Sequence, residues 1–515
     1  MTFPLLIQSL LKPSVYDYPT ESLQCLETHI SWIILTGPYA YKIKKPVDFG
    51  FLNFSNLAKR RFYCQEELRL NRRLAPQLYL EVLPVTGSPA SPRFGNDGEP
   101  LEYAVKMRQF PQQNLLVERA KRGELQEDRI AALAQGIAHF HQTALQAKSD
   151  APYGDPETIH EAVRENFSQI DRTDPENHMI LTELADWTEA EFERVRPFMT
   201  TRKQAGRIRE CHGDLHLGNI VLWEDRPLPF DCIEFNPALR WIDPISEIAF
   251  TVMDLCARGF KCLGFRFLND YLSLTGDYAG LRLLPYYLVY RAMVRTKIAY
   301  LSARQHPDES VHQDDFNHYL RLARMLCRRE SPILCITHGF SGSGKSYLGQ
   351  RLAAEAGALH LRSDVERKRL AGLDLDARAQ ADIGGEIYRA DFTDLTYRKL
   401  GELARTLLTA GFPVIVDATF LNRTYRRKFR ALARTLEVPF LILDCTAPEE
   451  TLRQRIRKRI ETSQDPSDAD LKVLAYQLHH HDPLDEAERA VSVALDTGQE
   501  NSLATALAAI AAANS

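Results

Sequence analysis

Three stretches of this 515-residue chain place reactive or phosphate-binding residue types at fixed spacings. The first, Gly339-Phe-Ser341-Gly342-Ser343-Gly344-Lys345-Ser346, follows G-x-x-x-x-G-K-[ST]. Its glycines let backbone N–H groups turn inward around a phosphate, and the start of a following helix favours the anion. Lys345 is then placed to reach the β- and γ-phosphates of ATP, and the Ser346 hydroxyl to coordinate magnesium. The second, Glu210-Cys-His212-Gly-Asp214-Leu-His-Leu-Gly-Asn219, follows H-x-D-x-x-x-x-N, with an acid, Asp231, twelve residues beyond the asparagine. An acid and an amide at that offset suit one metal–nucleotide: Asp214 to accept the proton of a substrate hydroxyl, Asn219 and Asp231 to hold magnesium on the phosphates. The third is Asp364, three residues before Arg367. Just past a strand, that pair would lie near the glycine loop, Asp364 accepting a proton and Arg367 binding substrate or the moving phosphate.

Such groups need strands to aim them. Residues 22–46 alternate and read as short strands, with Gly37-Pro38 as the turn before Tyr39–Lys45. Residues 55–74 read as a helix with Ser55 as N-cap, and 78–110 as strands broken by a loop at Gly87–Pro100. The pattern is helical to about residue 205, holds two short apolar strands over 208–234, and is helical again over 243–328. A strand-rich start before a helix-rich body is the layout of a two-lobed α+β domain. Arg328-Arg-Glu-Ser-Pro332 marks a boundary. Beyond it, the apolar runs Ile333–Thr337, Phe412–Asp417 and Pro439–Asp444 alternate with helical segments, which implies an α/β domain with a parallel sheet. The chain thus reads as two domains, 1–328 and 331–515.

Composition narrows the class. A 44% hydrophobic share with 26% charged residues argues for globular domains. The net charge of −4 gives no broad nucleic-acid surface, and nine scattered cysteines without C-x-x-C fit a reducing, cytoplasmic setting. The N-terminus reads as a poor signal peptide, and the most apolar stretch, Leu283–Val294, is too short to span a bilayer. Asp48-Phe-Gly50 reads as a turn, His479–His481 as a solvated helix end, and Ser502–Ala513 as a terminal packing helix.

From residue 331 to about 500 the chain resembles the small P-loop kinases grouped with phage polynucleotide kinase, gluconate kinase and zeta-toxin-like enzymes, on the loop 339–346 and Asp364-x-x-Arg367. The resemblance implies that Asp364 is a catalytic base or substrate anchor. It implies that Asp417, in Val414-Ile-Val-Asp417-Ala-Thr, holds magnesium through water or helps place substrate. It makes Glu449–Ile460 a lid whose Arg455 and Arg459, four apart and so on one face, meet the ATP phosphates. Residues 20 to about 300 resemble the aminoglycoside phosphotransferase branch of the protein-kinase-like fold, on His212-Gly-Asp214…Asn219 and Asp231-Cys-Ile-Glu234-Phe. Tyr39-Ala-Tyr-Lys42-Ile-Lys44 then looks like the strand whose lysine pairs with ATP phosphates. Lys42, placed as in V-A-I-K, is preferred; Lys44 shares its face and stays open. Glu67 would pair with that lysine. No G-x-G-x-x-G precedes Lys42; only Gly37 lies nearby.

The whole chain resembles a bacterial fusion of these two types. It implies a bifunctional ATP- and Mg²⁺-dependent phosphotransferase acting on small-molecule hydroxyls. Two other readings remain: an ATP-binding regulatory protein with one weak domain, and a nucleic-acid 5′-hydroxyl kinase in the C-terminal part. No aromatic stacking series accompanies the 453–459 arginines to support the latter.

Overall fold

The computed structural model describes residues 3–514 except 21, 51, 96, 306–309, 329–331, 375–389, 463–466 and 468. The central boundary residues 329–331 therefore lie outside the described residues. The chain divides into two compact units, Met1–Val163 with Arg196–Asp254, and Arg164–Val195 with Leu255–Ser515. Division by packing thus differs from a linear cut at 328/331. Helix Lys261–Thr275 packs within the second unit, where Asn269 accepts from His360 N at 2.8 Å and donates to Ala358 O at 3.0 Å.

The first unit is built on a six-stranded antiparallel sheet of β1 (Gln24–Glu27), β2 (Ser31–Leu35), β3 (Tyr39–Lys44), β4 (Tyr79–Ser88), β5 (Ser91–Phe94) and β6 (Glu102–Arg108), in the order β1-β2-β3-β6-β4-β5. Strand alternation gives β3 two faces. Tyr41 and Ile43 enter one apolar cluster with Ile7, Leu10 and Val85, while Lys42 and Lys44 face the other way, towards helix Leu57–Asn71. That helix buries Arg60, Cys64, Glu67 and Leu70, one stripe at helical spacing. Its N-cap is Asn56, whose side chain accepts from Lys59 N; Ser55, expected in that role, instead donates its hydroxyl to Asn53. The loop expected at 87–100 holds strand β5, paired with β4 as a hairpin. After a helical stretch come β7 (Arg209–Glu210), β8 (Ile220–Trp223), β9 (Arg226–Pro229) and β10 (Trp241–Ile242), with β7 paired to β10 and β8 to β9. The Asp214 loop runs between β7 and β8.

The second unit contains a five-stranded parallel sheet, β11 (Leu334–His338), β12 (Leu359–Arg362), β13 (Val414–Asp417), β14 (Phe440–Thr446) and β15 (Ser492–Asp496), in the order β12-β13-β11-β14-β15. All three apolar runs expected to be strands are strands, and β11 is buried throughout because helices cover both faces. β15 was not anticipated. Helix Ser502–Ala513 packs Ala506 and Ile510 onto the cluster formed by Leu348, Leu352, Leu443 and Leu495. No helix of the described residues is long and apolar enough to cross a membrane.

Candidate active sites

In the first unit β3 brings both lysines to one acid. Glu67 meets Lys42 Nζ at 2.9 Å through Oε1 and Lys44 Nζ at 2.7 Å through Oε2. Lys42 also contacts Asp231 at 2.5 Å, and Lys44 pairs with Glu234. The result is a buried ladder Asp231–Lys42–Glu67–Lys44–Glu234. Its two ends differ: the Asp231 side chain is 42% exposed, whereas that of Glu234 is 3% exposed. Lys42 therefore lies at the open end and Lys44 at the closed end. Burial alone would raise the Glu67 pKa, but Lys42 and Lys44 hold it down at about 2. Burial would likewise depress Lys42, but Asp231 and Glu67 more than offset it and raise the Lys42 pKa. Glu234, at the closed end, is pushed up by burial against the pull of Lys44.

Asp231 has a φ of 62°, a left-handed conformation that aspartate tolerates better than most residues. The Tyr79 hydroxyl accepts from its N–H at 3.1 Å, and Asn71 Oδ1 accepts from Cys232 N at 2.9 Å. Asn219 Nδ2 donates to Asp214 at 2.8 Å (Oδ2) and 3.0 Å (main-chain O), so the H-x-D-x-x-x-x-N acid and amide do come together. His212 supports them from beneath. Its Nδ1 accepts from Asp214 N at 3.3 Å, and its Nε2 is 2.8 Å from Phe230 O. Burial lowers the His212 pKa, which fits a neutral ring protonated on Nε2.

The strongest support for this loop was not anticipated from sequence. On helix Pro244–Ala257, Glu247 accepts from His212 N at 2.8 Å and Gly213 N at 2.6 Å. Thr251 donates to Leu215 O at 2.8 Å, and Asp254 accepts from Leu217 N at 2.9 Å. The three residues are spaced i, i+4, i+7 and so share one helix face. The sequence signal was there: three polar side chains on one stripe of a largely apolar helix. Burial works to raise Glu247, yet His141 and the amides bring its pKa to about 2. Gly213 has a φ of 91°, and a Cβ there would meet Leu239 O at 2.8 Å. Asp243 pairs with Arg202 at 2.6 Å. The Asp48-Phe-Gly50 turn is closed by Gly50 N to Asp48 at 3.1 Å.

The missing glycine flap has a visible counterpart. The β2–β3 connection is a tight turn at Thr36, Gly37 and Pro38, and Gln109 Oε1 accepts from both Thr36 N and Gly37 N at 2.9 Å. Those amides are already bound to protein.

In the second unit the loop 339–344 joins β11 to helix Lys345–Ala356. Its glycines are required by space: Gly342 has a φ of 83°, and a Cβ there would lie 2.7 Å from Leu452 O. Lys345 is buried and turns back on its own loop, donating to Phe340 O at 2.6 Å and reaching Ser343 Oγ at 3.4 Å. Burial lowers its pKa, against the pull of Asp417 and, more weakly, Asp364. Asp417 ends β13, buried, with His360 Nε2 at 3.4 Å and Arg362 Nε at 3.9 Å. Burial alone would raise its pKa; His360, Arg362 and the neighbouring Ser346 hydroxyl bring it well below the usual carboxylate range. Asp364 lies in the first turn of helix Ser363–Leu370, and Arg367, one turn on, is buried with Nη1 at 3.3 Å from Thr393 Oγ1.

Helix Glu449–Thr462 sorts its arginines. Arg453 pairs with Glu449 and Arg457 is exposed, whereas Arg455 and Arg459 share the face of buried Leu452 and Ile456. Arg455 donates to Thr497 Oγ1 at 2.9 Å and reaches Gly342 O at 3.4 Å; Thr497 in turn donates to Ser343 O at 2.7 Å. Arg459 donates to Ala469 O. Gln477 accepts from Ser341 N at 2.9 Å. Sequence reading missed Thr497, Gln477 and His360, since each acts from a segment distant in the chain. Arg426 is fully buried and paired with Glu488 through Nε and Nη2, both at 2.9 Å.

Residues 334–484 match the AAA domain family. Among solved structures, a gluconokinase from Sinorhizobium meliloti 1021 is 25% identical, covering 36% of this chain and 94% of that one, with a TM-score of 0.25. A choline/ethanolamine kinase family protein from Mesorhizobium loti is 14% identical, covering 62% of this chain and 98% of that one, with a TM-score of 0.36. The protein Rv2004c of Mycobacterium tuberculosis strain H37Rv is 30% identical over 440 residues, 84% of this chain and 85% of its own length. The chain belongs to the family of this mycobacterial protein, and within it joins a protein-kinase-like part to a P-loop kinase part.

Proposed function

We propose that the chain is a bifunctional ATP-dependent phosphotransferase that moves the γ-phosphoryl group to small-molecule hydroxyls at two sites. We keep 1–328 and 331–515 as its functional modules. The observation that carries the reading is the gathering, at one glycine loop, of buried Lys345, the Ser346 hydroxyl and Asp417. Lys345 rests on a loop carbonyl from which a phosphate chain would draw it. The Ser346 hydroxyl and the Asp417 carboxylate are hard oxygen donors, the class magnesium takes. Arg455, already on the loop, and Arg459 would close over the phosphates. Asp364 would take the acceptor's proton, and Arg367 would hold acceptor or moving phosphate.

In the first module Lys42, at the open end of its ladder, is the phosphate lysine; Lys44 fixes Glu67 from behind. Asp231 and Asn219 would hold magnesium. Asn219 donates its Nδ2 to Asp214, and its Oδ1 makes no hydrogen bond to a described residue. Magnesium would neutralise charge on the β- and γ-phosphates. As the acceptor oxygen bonds to the γ-phosphorus, its proton passes to Asp214 and the bond to ADP breaks. Catalysis here is positioning and charge neutralisation. A second reading, a nucleotide-sensing first module with weak transfer, is favoured by the short turn whose amides Gln109 occupies. The test is a metabolite-library phosphorylation assay on the full chain. Transfer lost in part in Asp214→Ala and in part in Lys345→Ala supports two working sites. Transfer indifferent to Asp214→Asn, with ATP still bound in that module, supports the sensing role. No transfer to any acceptor counts against the enzyme.

A further inference from the structure

Helix Arg423–Thr435 carries Arg427, Arg430 and Arg434 at i, i+3 and i+7, one stripe on its outer side. Like charges at these spacings repel, and a solvated helix normally offsets them with acids one turn away. Here the helix carries no such acid: no side chain of the three makes a hydrogen bond or ion pair with a described residue, and Asp485 feels Arg427 only at longer range. The neighbouring guanidinium shows the contrast, since Arg426 is held by Glu488, Phe420 O, Asp482 O and Pro483 O.

The stripe also lines a groove. A cavity of about 370 Å³ is bounded by Arg426, Arg427, Arg430 and Arg434 on one side, by Asp485 and Glu488 on the other, and floored by Phe440 and Ile442. Both acids are engaged: Glu488 by Arg426, and Asp485 by Glu488 N at 2.9 Å in a helix cap. With Arg426 itself held by Glu488, the groove presents three guanidinium groups, those of Arg427, Arg430 and Arg434, against two committed carboxylates. Its place separates it from the phosphate loop. Phe440 starts β14 in register with Leu334, the first residue of β11, whereas the loop follows the last, His338. Four residues of strand put the groove floor about 13 Å from the loop along the sheet.

We propose that this groove is a second anion site, which binds an extended small-molecule phosphate chain away from the catalytic end of the sheet. Arg434 lies seven positions after Arg427 on the helix, an axial span of about 10 Å, which suits several linked phosphates rather than one. Arginine is the residue for this task because its planar fork gives paired N–H donors to phosphate oxygens. The chain can come free, as inorganic polyphosphate, or as the tail of a nucleotide. The short length of the groove favours either over a nucleic-acid strand.

The experiment is calorimetric titration of inorganic tripolyphosphate, without magnesium, into full-length Lys345→Ala protein, in which the phosphate loop is disabled. Binding with an affinity at least tenfold weaker in Lys345→Ala/Arg430→Gln/Arg434→Gln supports the site. A matching thermal melt for the two proteins assigns the loss to the groove rather than to unfolding. ATP titrated the same way shows whether a nucleotide also enters. Equal binding in both proteins, or none in either, overturns the proposal, as does a single-stranded oligonucleotide that binds the groove more tightly than tripolyphosphate. Failure here leaves Lys345-dependent transfer untouched, so the two readings fall separately.

Discussion

Glu67 forms an ion pair with Lys42 through one carboxylate oxygen and with Lys44 through the other, at 2.9 and 2.7 Å. One buried acid thus serves both lysines of β3, and only the difference in their second partners gives them different work. Lys42 shares half-exposed Asp231; Lys44 shares buried Glu234.

Removing the two lysines should therefore have unlike effects. Lys44→Met strands Glu234 in a buried setting and leaves Glu67 with Lys42 alone, and should cost about 3–5 kcal/mol in urea unfolding. Lys42→Met leaves Glu67 with Lys44, and leaves Asp231 able to reach water. It should cost clearly less stability yet abolish the Asp214-dependent share of transfer. Equal stability losses would show that the ladder has no closed end.

The helix clamp on the Asp214 loop sets an acid limit. The Glu247 pKa is lowered from 4.5 to about 2 in the folded chain. A lowered carboxylate pKa stabilises above its unfolded value and loses that contribution as pH falls through the folded one. The contribution, on the order of 3 kcal/mol, is therefore complete above about pH 4.5 and drains away towards pH 2. Glu247→Gln should be less stable at neutral pH, and the gap to wild type should narrow across that window. A gap constant down to pH 2 would place the Glu247 interaction outside the folding equilibrium.

Thr497 ties Ser343 of the phosphate loop to Arg455 of the helix beside it. Thr497→Val keeps the volume and removes both bonds. It should raise the KM for ATP of the Lys345-dependent reaction by about three- to tenfold, in line with one or two hydrogen bonds. The Asp214-dependent reaction should not change. An unaltered KM would show that Arg455 holds its place without the threonine.

Gly342→Ala introduces a Cβ 2.7 Å from Leu452 O at a φ of 83°. Either the loop or helix Glu449–Thr462 must shift. The Lys345-dependent site should lose ATP affinity by at least tenfold in calorimetry, while the first module binds as before. Wild-type affinity would mean the loop relaxes at no cost.

Much of this was legible in sequence because local rules carried it. The glycine loop, the Asp214–Asn219 pair and the apolar strands of the second unit are each specified within a few residues. The Lys42 and Lys44 alternatives could not be parted, since period-two alternation puts both on one face and only the depth of Asp231 against Glu234 separates them. The N-cap was misplaced by one residue because Ser55 and Asn56 are both good caps, and Asn53 claims the serine hydroxyl. Strand β15 and Thr497 were missed because their meaning lies in contacts with residues over forty positions away.

The central claim is that two separate sites in one chain bind the ATP phosphates, and direct titration tests it. A non-hydrolysable ATP analogue with magnesium, titrated into the full-length Arg430→Gln/Arg434→Gln protein, should bind at two sites per chain. Lys345→Ala should remove one and Lys42→Ala the other. A single site that survives Lys345→Ala, or no site at all, would contradict it.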